Sequence, residues 1–194
     1  MKLLSVPNSP NSPDIFGAVA PLPLYPPPGP NYAQRSISTI TDFIIHHSAG
    51  SPDQTPLQID AEHRARGMAF IAYNWIITKD GTIYQGRPIG WVSSANYGRN
   101  SQGVAVCLTG NFDSSDPGFT GDPDPEQIKS LYHLAFSVHI HLTSIERTYG
   151  HGDIAPLFYP SDPDPYSTAC PGDRLQSQIP SVRNYVTVNL HAGL

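Results

Sequence analysis

Two cysteines among 194 residues are too few for the disulfide framework of a small secreted scaffold, and they leave the redox compartment open. Charge is sparse as well. Only 14% of residues are Asp, Glu, Lys or Arg and the net charge is -5, which excludes the basic footprint of a nucleic-acid partner. No apolar run approaches the roughly 20 residues of a membrane-spanning helix. Lys2 is not followed by a sustained apolar stretch before the prolines begin at Pro7, so no secretory signal is read there. No internal repeat is present, and the length suits one domain with a sizeable core, expected to be a monomer.

Proline is abundant but unevenly placed. Nine of the 21 prolines fall in the first 30 residues, densest at Pro26-Pro27-Pro28-Gly29-Pro30. Proline removes backbone donors and favours extended conformations, so residues 1-38 read as an arm and 39-194 as the domain. The composition argues against the arm entering the central sheet. Ile15, Phe16, Leu22, Leu24 and Tyr25 give it enough apolar surface to strap against the domain. Removing it is expected to leave the chemistry intact.

Past residue 40 two periodicities alternate. Residues 43 to 47, 73 to 78, 82 to 85 and 103 to 109 read as strands rich in Ile, Val and Tyr, with Lys79-Asp80-Gly81-Thr82 as a hairpin turn. Leu57 to Arg66 reads as a helix closed by Gly67. From residue 125 to 142, Ile128, Leu131, Leu134, Ala135, Val138 and Leu142 share one helical face, with Asp124 placed to cap it. A last helix starts near Pro180. The fold class is α/β (or α+β), a central mixed sheet flanked by helices in a single domain.

The chemistry lies in three separated segments. His46-His47 ends the first strand, Gly150-His151-Gly152-Asp153 follows far downstream, and Cys170-Pro171-Gly172-Asp173 comes last. Two imidazoles and a thiolate suit zinc, and three protein ligands leave one coordination position open for chemistry. Successive strand side chains point to opposite faces, so only one of His46 and His47 can face a metal.

The order of Phe43 to Gly50, Ala72 to Arg87, Gly103 to Phe112, and the His151 and Cys170 motifs resembles the zinc-dependent N-acetylmuramoyl-L-alanine amidases over roughly residues 40 to 186. That family includes amidase-type phage lysozymes and peptidoglycan recognition proteins. The resemblance implies a Zn2+ cofactor held by His46, His151 and Cys170, with Tyr73 beside the metal as an oxyanion donor and Thr168 as a second hydroxyl. It also implies peptidoglycan or muropeptides as substrate, cut between N-acetylmuramic acid and L-alanine. Asp162 is a rival third ligand, because His151 to Pro156 followed by Ser161-Asp162-Pro163 also resembles a branch that uses aspartate there.

Two features depart from the family pattern. Residues 157 to 166 look like an inserted loop on the rim, and Trp91 to Asn96 lacks a histidine that the family often carries. Two rival functions stand beside the amidase: a non-catalytic peptidoglycan-binding module on the same fold, and a cysteine peptidase using Cys170 with His151. His133, His139 and His141 are read as structural or solvated, His63 as part of an exposed charged helix face, and Cys107 as a buried apolar residue. Asp153 is read either as a turn cap or as a group orienting a ligand.

Overall fold

A computed structural model describes residues 20–21 and 33–192. In chain order its elements are β1 (Ala20–Pro21), β2 (Asp42–His47), α1 (Pro56–Ala65), β3 (Trp75–Ile77), β4 (Ile83–Gln85), β5 (Gly103–Leu108), α2 (Pro125–His141), β6 (Arg147–Gly150), α3 (Ile154–Phe158), α4 (Asp173–Gln176) and α5 (Ile179–Ala192). Short 3-10 turns occur at Ile37–Thr39, His151–Asp153 and Asp164–Tyr166. The main helices start at a shared chemical signal. Thr55 and Asp124 each accept a backbone N–H of the first turn, proline follows, and Gln58 or Gln127 reaches back to the cap N–H.

The six strands form one mixed sheet in the order β1-β4-β3-β5-β2-β6. Only β3 and β4 pair antiparallel; β3 with β5, β5 with β2, β2 with β6 and β1 with β4 are parallel. The central strands β2 and β5 are buried along their whole length, which is why they read as nearly continuous apolar runs. The helix-flanked mixed sheet expected from the sequence is the fold observed.

One face of the sheet carries the large core. Phe43, Ile45, Trp75, Ile77, Val104, Val106 and Leu108 pack there against Leu131, Leu134 and Val138 of α2 and Val182 and Val186 of α5. Each such side chain contributes about 1.5–3 kcal/mol relative to exposure, so this face dominates stability. The opposite face holds two smaller clusters, Ile44 with Tyr149 and Ile154, and Ile59 with Ile71 and Ile76. Polar residues occupy the rest of that face, among them Asp42 and His46. Asp42 is fully buried, and it is paired from two sides: Arg99 Nε at 2.9 Å and Arg147 Nε at 2.7 Å. Both guanidinium groups lie over the Phe158 ring, at 4.3 and 5.2 Å. Removing one member of a buried ion pair costs about 3–5 kcal/mol, so this triad ties β2, β6 and α3 together.

Four expectations need correction. β1 joins the sheet edge, pairing Ala20 with Tyr84 and Pro21 with Gln85, so the proline-rich arm does contribute to the sheet. An edge strand tolerates proline because one row of its backbone groups needs no partner. β6 was not expected, since Arg147-Thr148-Tyr149-Gly150 lacks an aliphatic run; its place is set by pairing with β2. His63 is not on an exposed face: it is 7% exposed and its Nδ1 accepts the Ala72 N–H at 3.0 Å. Tyr73 lies just before β3 rather than within it. Of the arm's apolar residues, Ile15, Phe16, Leu22, Leu24 and Tyr25 lie outside the described residues.

The segment just before residue 38 is bound to the domain. Arg35 N donates to Gly90 O at 2.8 Å, and Val92 N donates to Ala33 O at 3.0 Å. The Arg35 guanidinium donates to the carbonyls of Ile89, Asn100, Ser101 and Gly103 at 2.8–3.2 Å. Arg35→Ala is expected to lower stability by about 2–3 kcal/mol and the melting temperature by about 4–10 °C. Thermal unfolding checks this; a melting temperature within about 1 °C of the parent would show that water replaces these contacts.

Candidate metal centre

Alternation along β2 sends its two terminal histidines apart. His47 lies on the side of the large core, where its Nδ1 accepts the Phe112 N–H at 3.2 Å and its ring sits 6.2 Å from that of Phe112. His46 points to the other face and is 1% exposed. The parallel register pairs Ile45 with Gly150, and the residues that follow, His46 on β2 and His151 in the 3-10 turn after β6, lie side by side with ring centroids 4.6 Å apart.

Cys170 comes from no strand or helix. Thr168 Oγ1 accepts the Cys170 N–H at 3.2 Å, and Gly152 N donates to Cys170 O at 2.6 Å. Gly172, two residues on, has φ +84° and a position where a Cβ would collide with the Phe112 carbonyl carbon. Only glycine permits that approach. The result places Cys170 Sγ 3.6 Å from His46 Nδ1.

The donors of His46, His151 and Cys170 all lie within 4.8 Å of one another. Among the described residues this is the one group of three His, Cys, Asp or Glu side chains so placed. With zinc bonds of about 2.3 Å to sulfur and 2.0–2.1 Å to nitrogen, two tetrahedral donors stand about 3.6 Å apart. The sulfur to nitrogen distance therefore fits the ion.

The remaining nitrogen of His46 is also committed. His46 Nε2 lies 2.7 Å from Asn96 Oδ1, and the Asn96 amide nitrogen donates to Ser93 Oγ at 2.9 Å and Gly103 O at 3.3 Å. Those donations orient the Asn96 oxygen toward the ring, so Nε2 carries the proton and Nδ1 presents its lone pair to the group. Burial, then the neighbouring His151, hold the His46 imidazole well below its usual pKa. Burial and His47 lower His151 to about 4. Both rings are thus neutral near pH 7, the form that ligates a metal. Burial pushes the Cys170 thiol up to about 12, so the bare sulfur is not a ready nucleophile.

Tyr73 stands between two imidazoles, its ring 5.4 Å from His46 and 5.3 Å from His63. Burial first, then Cys107 and Cys170, push its phenol well above 10. Cys107 itself is fully buried on β5, in register with His46. Thr168 is exposed, with its oxygen turned to the Cys170 N–H. Asp162 is exposed and outside the group of three. Asp153 acts as a turn cap: it accepts Gly150 N at 3.0 Å and is held by Gln176 Nε2 at 2.9 and 3.0 Å.

Asn96 and His63 are the site neighbours that sequence reasoning missed. Asn96 is 50 positions from His46, and no local spacing links them. The one available signal was the polar segment ending at Asn96, where the absence of a histidine was evident.

The profile of the family described as N-acetylmuramoyl-L-alanine amidase matches residues 36–173. An endolysin of Enterobacteria phage T3 is 32% identical over 131 residues, 64% of this chain and 82% of that protein. A peptidoglycan-recognition protein of Drosophila melanogaster is 26% identical over 153 residues, 74% of each chain. Among solved structures, N-acetylmuramoyl-L-alanine amidase LysC from Clostridium intestinale URNW superposes with a TM-score of 0.66 at 26% identity, covering 87% of this chain and 99% of that one.

Asn96→Ala removes the acceptor that fixes the His46 tautomer and leaves the three donors in place. Affinity for a divalent ion is expected to weaken about 10- to 100-fold while the fold is retained. Competition against a chromophoric chelator measures it. An affinity equal to the parent's would reduce Asn96 to a loop-packing residue.

Proposed function

This chain belongs to the N-acetylmuramoyl-L-alanine amidase family, and we propose that it performs that hydrolysis with one zinc ion held by His46, His151 and Cys170. The chain is an enzyme of that class. The bond cut joins the lactyl carbonyl of N-acetylmuramic acid to the nitrogen of L-alanine. One water is consumed: the carbonyl carbon takes the hydroxyl and the nitrogen takes the proton, releasing a glycan carboxylic acid and a peptide amine.

The observation that carries the metal reading is the fit of the donor set. Two neutral imidazoles and one sulfur converge within 4.8 Å, with the sulfur to nitrogen spacing that tetrahedral zinc needs. When bound, zinc supplies a Lewis acid and acidifies a water near neutral pH. The protein's own groups do the rest. Asn96 keeps the His46 lone pair aimed at the ion. Tyr73 stays neutral and donates a hydrogen bond to the oxygen that gains charge as the carbonyl carbon becomes tetrahedral. Thr168, exposed beside Cys170, adds a second hydroxyl but no charge.

A cysteine peptidase needs a stabilised thiolate, and burial shifts Cys170 in the opposite direction. A binding module has no need of a complete donor set.

Purified protein is expected to hold one zinc per chain, and His46→Ala, His151→Ala and Cys170→Ala each to lose metal and muropeptide turnover together. Elemental analysis beside mass spectrometry of digested peptidoglycan is the measurement. Retention of zinc in Cys170→Ala with its loss in Asp162→Ala would transfer the third position to Asp162.

Tyr73→Phe keeps the ring and deletes the hydroxyl. Turnover is expected to fall about 10²-fold or more with zinc content unchanged, as for the loss of one oxyanion donor. A rate within about threefold of the parent would leave Tyr73 a packing residue.

A further inference from the structure

Three tyrosines stack on the two chain segments that lead to Asn96 and Cys170, in a way that the hydrolysis described above does not use. Tyr159 and Tyr166 lie face to face, with centroids 3.7 Å apart and planes 8° from parallel. Tyr97 stacks on Tyr166 at 5.3 Å and 24°. Tyr159 and Tyr166 belong to the segment that reads as an insertion, and Tyr97 belongs to the loop between β4 and β5. The two segments are fastened where they meet. Tyr159 Oη donates to Gly98 O at 2.9 Å, and Gly98, at φ +84°, sits where a Cβ would come within 2.8 Å of both rings.

The stack ends in solvent. Tyr97 is 63% exposed, the most exposed large hydrophobic residue among those described. Its sequence neighbour Asn96 bonds His46 at 2.7 Å, and Tyr166 precedes Cys170 by four residues. An exposed aromatic ring fixed by a stacked partner is therefore tethered to the centre from two chain segments.

We infer that Tyr97, backed by Tyr166 and Tyr159, is a saccharide-stacking subsite that receives an N-acetylated sugar ring of the glycan. The inference rests on the amidase reading, because that substrate carries its sugar one lactyl group from the scissile carbonyl. A pyranose ring has a face of C–H groups and a rim of hydroxyls. Tyrosine matches both, with an apolar ring face and a polar tip. Backing by two further rings fixes the orientation of Tyr97 in advance, which lowers the ordering cost of binding.

The test uses the full zinc-loaded chain, its Tyr97→Ala and Tyr97→Trp variants, and two probes. The first is the peptide-free disaccharide of N-acetylglucosamine and N-acetylmuramic acid, followed by saturation-transfer NMR. The second is the same disaccharide carrying a stem peptide, followed by steady-state hydrolysis. Tyr97→Ala is expected to abolish saturation transfer to the disaccharide and raise KM for the disaccharide peptide about tenfold, with the loss in KM rather than kcat. Tyr97→Trp, which keeps a stacking face, is expected to restore both. Disaccharide binding and KM equal to the parent's in Tyr97→Ala would overturn the subsite while leaving the amidase reading intact. Disaccharide binding that depends on Tyr97, in a parent that hydrolyses no muropeptide, would overturn the amidase reading and leave the subsite standing.

Discussion

The parallel register of β2 between β5 and β6 is the constraint from which the centre follows. It pairs Asp42 with Arg147, Ile45 with Gly150 and His46 with Cys107. Because side chains alternate, the register directs Phe43, Ile45 and His47 toward the large core and Asp42, Ile44 and His46 toward the other face. A slip of one residue would exchange those sets, burying the His46 imidazole under α2 and α5 and turning two core side chains toward the polar face. The apolar surface buried by Phe43 and Ile45 therefore specifies where His46 points. The same register ends β6 at Gly150, so the chain leaves the sheet at the position where His151 faces His46.

Register alone does not hold a ligand in one tautomer. That is done by the loop between β4 and β5, which is tied down from two directions. Arg35 holds the carbonyls of Asn100, Ser101 and Gly103, while Arg99 reaches Asp42 at the start of β2. Between these anchors Asn96 is fully buried, with its amide nitrogen occupied and its oxygen on His46. Ligand geometry is held to a fraction of an ångström only when the supporting groups are themselves fixed. Here the support runs from Arg35, through the loop, to the imidazole.

The parts of the fold legible in the sequence are those that depend on local chemistry. β2 and β5 show as aliphatic runs because both faces are covered. α1 shows through the glycine that closes it, α2 through its apolar face and the Asp124 cap, and the three donor residues through the resemblance carried by five ordered motifs. What was illegible depends on distant partners. β6 has only four residues and no aliphatic run, and β1 has two residues, one of them proline. Their pairing supplies what their composition does not. His63 carries charged neighbours in sequence, yet the backbone N–H of Ala72 draws it inward. Asn96 has no feature distinguishing it from other loop asparagines, since its role comes from a contact across 50 residues.

The three donors are not held by equal means, and the difference assigns a structural role to the inserted segment. His46 is set by sheet register, and His151 follows directly on the end of β6. Cys170 depends on a turn, on the close approach of Gly172 to Phe112, and on the segment that delivers the chain to it. That segment is fastened twice. Phe158 lies beneath Arg99 and Arg147, and Tyr159 and Tyr166 pack against Gly98 and Tyr97. Both fastenings reach the loop that also carries Asn96. The sulfur and the acceptor that orients His46 are therefore coupled through aromatic packing, so a change in that packing acts on two parts of the three-donor group while the direction of His46, set by the sheet, stays in place.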